Sequence, residues 1–265
     1  MAFNFSQLAT ATGVTVGSIV MLSGSAQAFS FTTNYTVNAP TGDLATGDIF
    51  LDSIEKGDGT IIQNFSYVTG ASIIANDEFT GGDTGGASAD IGDHATTGIA
   101  REDATAADIV TNLGNNNLNN IIDTEDTGSF EIDLSFGSAI DNLLIWERGK
   151  NSQLGIQAVD DDGNLIGERL VLDSSTWDYA GFDIDTQEIN SAQRVGSIGV
   201  NIAEDLGVGG PVSTVRFFSE SGFNGPDWKF VGTDHSRSVP EPSAALGLGL
   251  LGGLGFLAKR KKSQA

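Results

Sequence analysis

Phe130-Glu131-Ile132-Asp133-Leu134-Ser135-Phe136 alternates apolar and polar side chains without a break. A period of two belongs to a strand with one face in a core and the other in water. The sequence on either side reads the same way. Ile140–Trp146 follows, then Leu154-Gly155-Ile156-Gln157-Ala158-Val159. Asp160-Asp161-Asp162-Gly163-Asn164 then turns the chain into Leu165–Leu172, and its Asp-Gly step is a strong hairpin signal. Further strands are predicted at Ile198–Ile202, Val212–Phe218 and Trp228–Val231. Upstream, Phe29–Val37, Ile49–Ile54, Ile61–Tyr67 and Ser72–Ala75 qualify. About ten strands with turn residues at short intervals predict an all-β fold, an antiparallel β-sandwich of jelly-roll type.

One minor helix is expected in Asp103–Leu113, where Ala104, Ala106, Ala107, Ile109, Val110 and Leu113 form an apolar face and Gly114 is placed as a C-cap. Thr80–Thr97, rich in Gly, Asp and Ala, reads as a long loop. Asn115-Asn116-Asn117-Leu118-Asn119-Asn120 reads as too polar for a core. The spacing of Phe130–Phe136, Ile140–Trp146 and Leu154–Leu172 resembles that of galactose-binding-like sandwiches, a likeness of pattern with no diagnostic motif. There is no internal repeat.

Composition narrows the function. Thirteen Lys/Arg stand against 35 Asp/Glu in 265 residues, a formal charge of −22. Nucleic-acid binders draw much of their affinity from Lys and Arg displacing counterions, so a nucleic-acid partner is excluded. Without cysteine there are no disulfides, thiol nucleophiles or Cys-ligated metals. The 35 glycines favour turns and loops over helices.

The two ends read as addresses. Residues 1–28 predict an export signal, with an apolar core at Val14–Leu22 and the small-x-small pattern Ala26-Gln27-Ala28 before a mature start at Phe29. Its positive charge is only that of the amino terminus. At the other end, Val239-Pro240-Glu241-Pro242-Ser243 precedes the apolar run Ala244–Ala258 and then Lys259-Arg260-Lys261-Lys262. As a helix that run spans roughly 22 Å, short of a hydrocarbon core of roughly 30 Å. Snorkelling of Lys259 and local bilayer thinning make up the difference. The basic cluster orients such a transmembrane helix with its C-terminus in the cytoplasm, which puts residues 29–238 outside. Gly247–Gly252 matches a dinucleotide fingerprint in letters only, since no strand precedes it.

This three-part tail resembles the PEP-CTERM sorting signal of Gram-negative bacteria and cyanobacteria, in Pro240, Glu241, Pro242, the apolar run and the basic cluster. The resemblance implies recognition by an exosortase, cleavage near the motif, and release of the body into the envelope, cell surface or extracellular matrix. The chain then divides into a signal peptide (1–28), an exported β-sandwich (29–238) and a sorting and anchor segment (239–265). Without Glu241 and the four basic residues 259–262, nine basic and 34 acidic residues remain, a net −25.

Catalytic signals are sparse. The body has no Gly-x-Ser-x-Gly elbow, and its two histidines, His94 and His235, each follow an Asp in what reads as solvated surface. Paired carboxylates for glycoside hydrolysis arise by chance among so many acids and do not discriminate. Ca²⁺, which takes six to eight oxygen ligands, is the cofactor that fits an Asp-rich chain. Asp160, Asp161, Asp162 and Asn164 form the best local cluster for it, although the spacing is not that of an EF-hand. Trp177 and Trp228, in loop-like settings, are candidates for stacking on a sugar, and Trp146 is assigned to the core. The resulting expectation is a non-catalytic surface or matrix protein associated with exopolysaccharide and biofilm. The alternative is a calcium-assisted carbohydrate-binding module.

Overall fold

The computed structural model describes residues 28–189 and 191–234. Residues 1–27 of the expected export signal, the segment 239–265 with its apolar run, and His235 lie outside the described residues. Among those described, no helix is long and apolar enough to cross a membrane.

In chain order the strands are β1 (Phe31–Asn38), β2 (Asp48–Lys56), β3 (Ile61–Ile62), β4 (Phe65–Ser66), β5 (Val68–Asn76) and β6 (Ala87–Ile91). Helix α1 (Ala106–Leu113) leads into β7 (Asn120–Thr124), β8 (Phe130–Ile140), β9 (Asn142–Arg148), β10 (Leu154–Val159), β11 (Leu165–Leu172) and β12 (Asp178–Ile184). The chain continues through β13 (Gln193–Asn201), a single turn α2 (Ile202–Asp205), β14 (Val212–Ser219) and β15 (Asp227–Thr233). Three antiparallel sheets result. A small one has the order β1-β2-β3, a second β11-β10-β14-β8-β5, and the largest β12-β13-β9-β15-β7-β6 with β4 added on β15.

Burial follows the alternation in β8. Phe130, Ile132, Leu134 and Phe136 are buried, while Glu131 is exposed and Asp133 and Ser135 are half-buried. On the polar side, Asp133 faces Arg216 of β14 and takes a two-pronged ion pair, Nε–Oδ1 at 2.6 Å and Nη2–Oδ2 at 2.9 Å. The buried face of the five-stranded sheet packs on one face of the largest sheet, joining Ile132, Leu134, Ile156 and Phe217 to Leu143, Ile145, Trp228 and Phe230. The other face of the largest sheet packs Leu144, Trp146, Ile121 and Val231 against Phe31, Ile49, Leu51 and Ile54 of the small sheet. The largest sheet is thus covered on both sides, and every residue of β9 and β15 is buried. Strands buried on both faces lose their polar alternation. Ile140–Trp146 accordingly reads in sequence as an apolar run.

Two expectations about the middle of the chain are corrected. Thr80–Thr97 is not one loop, because β6 lies within it and pairs with β7. Asn115–Asn120 is not surface: Asn117, Leu118, Asn119 and Asn120 have no exposure. Buried amides are tolerated when they are hydrogen-bonded, and Asn117 and Asn119 each bond buried backbone, while Asn120 bonds the side chains of Thr97 and Asn115. Asn117 Oδ1 accepts from Ile49 N at 3.0 Å and its Nδ2 donates to Asp48 Oδ1 at 2.7 Å. Asn119 Nδ2 donates to Ala45 O at 3.1 Å. Helix α1 starts later than expected, at Ala106, because Thr105 caps it in a reciprocal box with Asp108. Gly114 is the C-cap, its N–H donating to Val110 O.

Phe29 pairs with Gly199 through two backbone bonds, N to O at 2.7 Å and O from N at 2.8 Å, so the described chain is tied into the sheet from nearly its first residue.

Candidate functional site

Strand alternation sends every second residue of the largest sheet toward the small sheet. On β6, β7, β9 and β15 these positions include Asp90, Asp123, Arg148 and Asp227, together at one end of an otherwise apolar layer. The register places Arg148 opposite Asp227. The Arg148 side chain is fully buried and uses all three nitrogens. Nε donates to Asp227 Oδ2 at 3.0 Å, Nη2 to Asp123 Oδ1 at 2.9 Å and Nη1 to Thr186 Oγ1 at 2.6 Å, and Nη2 also lies 2.8 Å from Asp227 Oδ2. A planar fork with fixed donors can serve several acceptors at once in a way that a lysine cannot.

One guanidinium does not balance the acids around it. Burial pushes the Asp90 carboxyl up to about 6 and that of Asp123 up to about 7, in each case against the pull of Arg148. Burial also raises Asp227 well above the ordinary carboxylate range. Burial opposes the charge of Arg148, yet Asp227 and Asp123 outweigh it and keep the guanidinium firmly protonated. Glu147, pointing into the opposite layer, is likewise raised by burial and by Asp227; its Oε2 accepts from Lys150 N at 2.6 Å while Oε1 is buried without a partner.

The cluster opens onto a pocket of about 230 Å³, with Ser88, Asp90, Arg101, Glu102, Gln187 and Glu188 in its wall. Carboxylate oxygens of Asp90, Asp123 and Glu188 lie within 4.8 Å of one another, and so do those of Glu102, Glu125 and Glu188. Burial raises both Glu125 and Glu188. Asp90 Oδ1 accepts from Ile91 N at 2.7 Å, whereas Oδ2 is buried and accepts no close hydrogen bond. Glu188 arrives by a crossing. β6 and β12 are opposite edges of the largest sheet, yet the chain leaving β12 bridges Gly92 with Thr186, and Asp185 N donates to Ala45 O at 2.9 Å. The donors at this seam are all carboxylate oxygens, a set suited to hard cations.

The residues singled out in the sequence lie elsewhere. Asp160–Asn164 is the tip of the β10–β11 hairpin, as expected, but Asp160 is occupied in shaping it. Its Oδ1 accepts from Asp162 N at 3.0 Å and Asn164 N at 2.8 Å, which holds the carboxyl below its ordinary range. Gly163 takes the left-handed conformation there, φ 84°. Among the described residues, the convergent acids are those of the seam, not of this tip. The sugar-stacking reading of Trp177 and Trp228 is corrected outright. Trp177 is 4% exposed, with Nε1 donating to Ser152 O at 2.9 Å, and Trp228 is 0% exposed. Neither presents a ring face to solvent. Trp146 is core as expected and donates to Thr33 Oγ1 at 3.0 Å. His94 is exposed, held only through its backbone N–H to Thr46 O.

Lys229 is a second buried charge on the same face. It has no exposure, and its Nζ donates to Asn112 O and Asn115 Oδ1, both neutral. Burial lowers its pKa well below the ordinary value. The unfolded chain then binds a proton that the folded chain does not, from the folded pKa up to about 10.4, and stability rises with pH across that window. Relative to Lys229→Met, the wild type should gain stability between pH 7 and pH 9.5, by up to about 1.4 kcal/mol per pH unit. Urea unfolding of both proteins at the two pH values measures it. Parallel pH profiles would show that Lys229 stays charged in the fold.

Residues 238–262 match the model of the PEP-CTERM protein-sorting motif. The chain carries a PEP-CTERM sorting motif. The matched stretch contains Pro240, Glu241, Pro242 and Lys259–Lys262. The motif marks an exported protein that an exosortase targets to the envelope or surface. No curated protein matches the chain.

Proposed function

We propose that this chain is a non-catalytic cell-surface or extracellular-matrix protein, released from a transient membrane anchor by an exosortase and associated with the exopolysaccharide layer. The observation that carries the reading is the sorting motif at 238–262. In this reading the Pro-Glu-Pro run keeps the outer segment extended and accessible to a protease, since proline disfavours helix both at its own position and at the one before it. Ala244–Ala258 holds the substrate in the bilayer, and Lys259–Lys262 fixes its direction. The strongly acidic body supports a hydrated, self-repelling matrix component.

Cells with and without an exosortase provide the test. Intact-mass measurement of the envelope and matrix fractions should find a chain lacking Lys259–Lys262 in the first strain and a longer, membrane-held chain in the second. Pro240→Ala combined with Pro242→Ala should leave the longer form in both. A mature protein that retains Lys259–Lys262 in the exosortase-positive strain rules out processing. Recovery in the polysaccharide fraction supports the matrix assignment, and recovery only in the free medium refutes it.

A further inference from the structure

We propose that the acidic pocket at the seam is a divalent-cation site, with Asp90, Asp123 and Glu188 as its protein ligands and Ca²⁺ as the ion that fits them. Three separate segments supply these side chains: β6, β7 and the crossing after β12. Their oxygens nevertheless converge within 4.8 Å. Like charges at that spacing repel one another, so a fold that gathers them either keeps them protonated or holds a cation between them. Arg148 acts on Asp90 only at a distance, because its donors go to Asp227, Asp123 and Thr186, and its pull does not offset the burial of the Asp90 carboxyl.

The second observation is independent of the acidic count. Asp90 is 4% exposed, it forms part of the pocket wall, and its Oδ2 accepts no close hydrogen bond, the carboxyl having only a weaker contact from the Thr186 side chain. A buried carboxylate oxygen without a close donor is a costly arrangement. Here that oxygen belongs to the same side chain that meets Asp123 and Glu188. A cation bound to it removes the penalty.

The donor set selects the ion. It contains oxygen alone, with no imidazole or thiolate, which favours Ca²⁺, Mg²⁺ or Mn²⁺ over softer metals. Ca²⁺ accepts irregular geometry and mono- or bidentate carboxylates, and waters complete its shell, for which the pocket has room. Mg²⁺ requires a near-ideal octahedron. Glu102 and Glu125, which meet Glu188 on its outer side, add negative potential at the mouth. Bound there, the ion would clamp the two opposite edges of the largest sheet across the Gly92–Thr186 bridge. The site's residues lie outside the sorting motif in sequence, so Ca²⁺ binding and processing are read out by separate measurements.

The test uses the full chain purified in detergent, stripped with EDTA and titrated calorimetrically with CaCl₂ and, separately, MgCl₂. One saturable Ca²⁺ site is expected, with a Kd of about 10⁻⁴ M or tighter, together with a higher thermal midpoint in Ca²⁺ than in EDTA. Asp90→Asn and Glu188→Gln should each weaken binding about tenfold or more. Asp161→Asn with Asp162→Asn, at the hairpin tip, should leave it unchanged. Glu188 is an exposed side chain, so its variant should melt like the wild type in EDTA, which separates lost ligation from lost folding. The proposal is overturned if the wild type gives no saturable binding up to a few millimolar Ca²⁺, if Asp90→Asn and Glu188→Gln bind like the wild type, or if the tip variant alone abolishes binding. Binding of Mg²⁺ as tight as that of Ca²⁺ overturns the choice of ion.

Discussion

Arg148→Met should destabilise the chelated protein by about 3–5 kcal/mol at neutral pH, the usual cost of removing one partner from a buried ion pair. The loss is not the worth of the salt bridges themselves. It arises because Asp123 and Asp227 remain buried, at 5% and 8% exposure, with their counter-charge gone. The thioether fills much of the space but offers nothing to Asp227 Oδ2, which in the wild type accepts from Nε and pairs with Nη2 at 2.8 Å. Two controls make the cause visible in urea unfolding. Adding Asp227→Asn to Arg148→Met should recover part of the loss, because the amide needs no counter-charge. Burial already raises Asp123 to about 7 and Asp227 well above the carboxylate range against the pull of Arg148. Without the arginine both rise further, so the difference from wild type should widen as the pH is raised from 5 through 8. A loss below about 1 kcal/mol, within the range of exposed ion pairs, would mean that water or protons already neutralise this end of the layer.

The same cluster marks where the sequence stops being legible. Phe130–Phe136 announces its structure because one face meets a core and the other meets water. The Asp160–Asn164 hairpin is equally local, since it is closed by Asp160 and Gly163 themselves. β12 carried a readable signal in Ala180, Phe182 and Ile184, alternating inward, although the glycine and aspartate between them suggest a loop. β6 and β7 carried less. β6 buries only Ala87, Ser88, Ala89 and Asp90, and β7 sets Ile121 and Ile122 between Asn120 and Asp123, so neither looks like core until a second sheet and an arginine are placed beside them.

The candidate site was hidden for a related reason. Asp90, Asp123, Arg148, Glu188 and Asp227 sit on five separate segments, and only the register of the largest sheet and the crossing after β12 unite them. A local search for acidic clusters therefore settles on Asp160–Asp162, where the charges are adjacent in sequence and solvated in space. The clue available in the letters was a charged residue closing an apolar strand, Asp123 after Ile121-Ile122 and Arg148 after Leu143-Leu144-Ile145-Trp146. Such a residue must either leave the core or find its partners there. The asparagine run points the wrong way for the same reason: its polarity suggests exposure, whereas Asn117 and Asn119 bond buried backbone.

Trp228→Ala should cost about 3–5 kcal/mol of unfolding free energy, the range for truncating a large aromatic in a core. The indole lies 4.4 Å from Phe230 and 5.6 Å from both Phe217 and Phe130, centroid to centroid, so it joins β15 to the strands of the facing sheet. Its removal leaves a cavity between two sheets that cannot close without shifting strands fixed by their ladders. Trp228→Phe should cost less than half as much, because a ring remains and the indole N–H, buried without a hydrogen-bond partner, disappears with the substitution. Urea unfolding of the three proteins measures the order. A sugar-stacking tryptophan would behave oppositely, since Trp228→Ala would then leave the unfolding midpoint in place and abolish only binding. An unmoved midpoint would therefore reinstate Trp228 as a surface residue and overturn the packing of the two sheets described here.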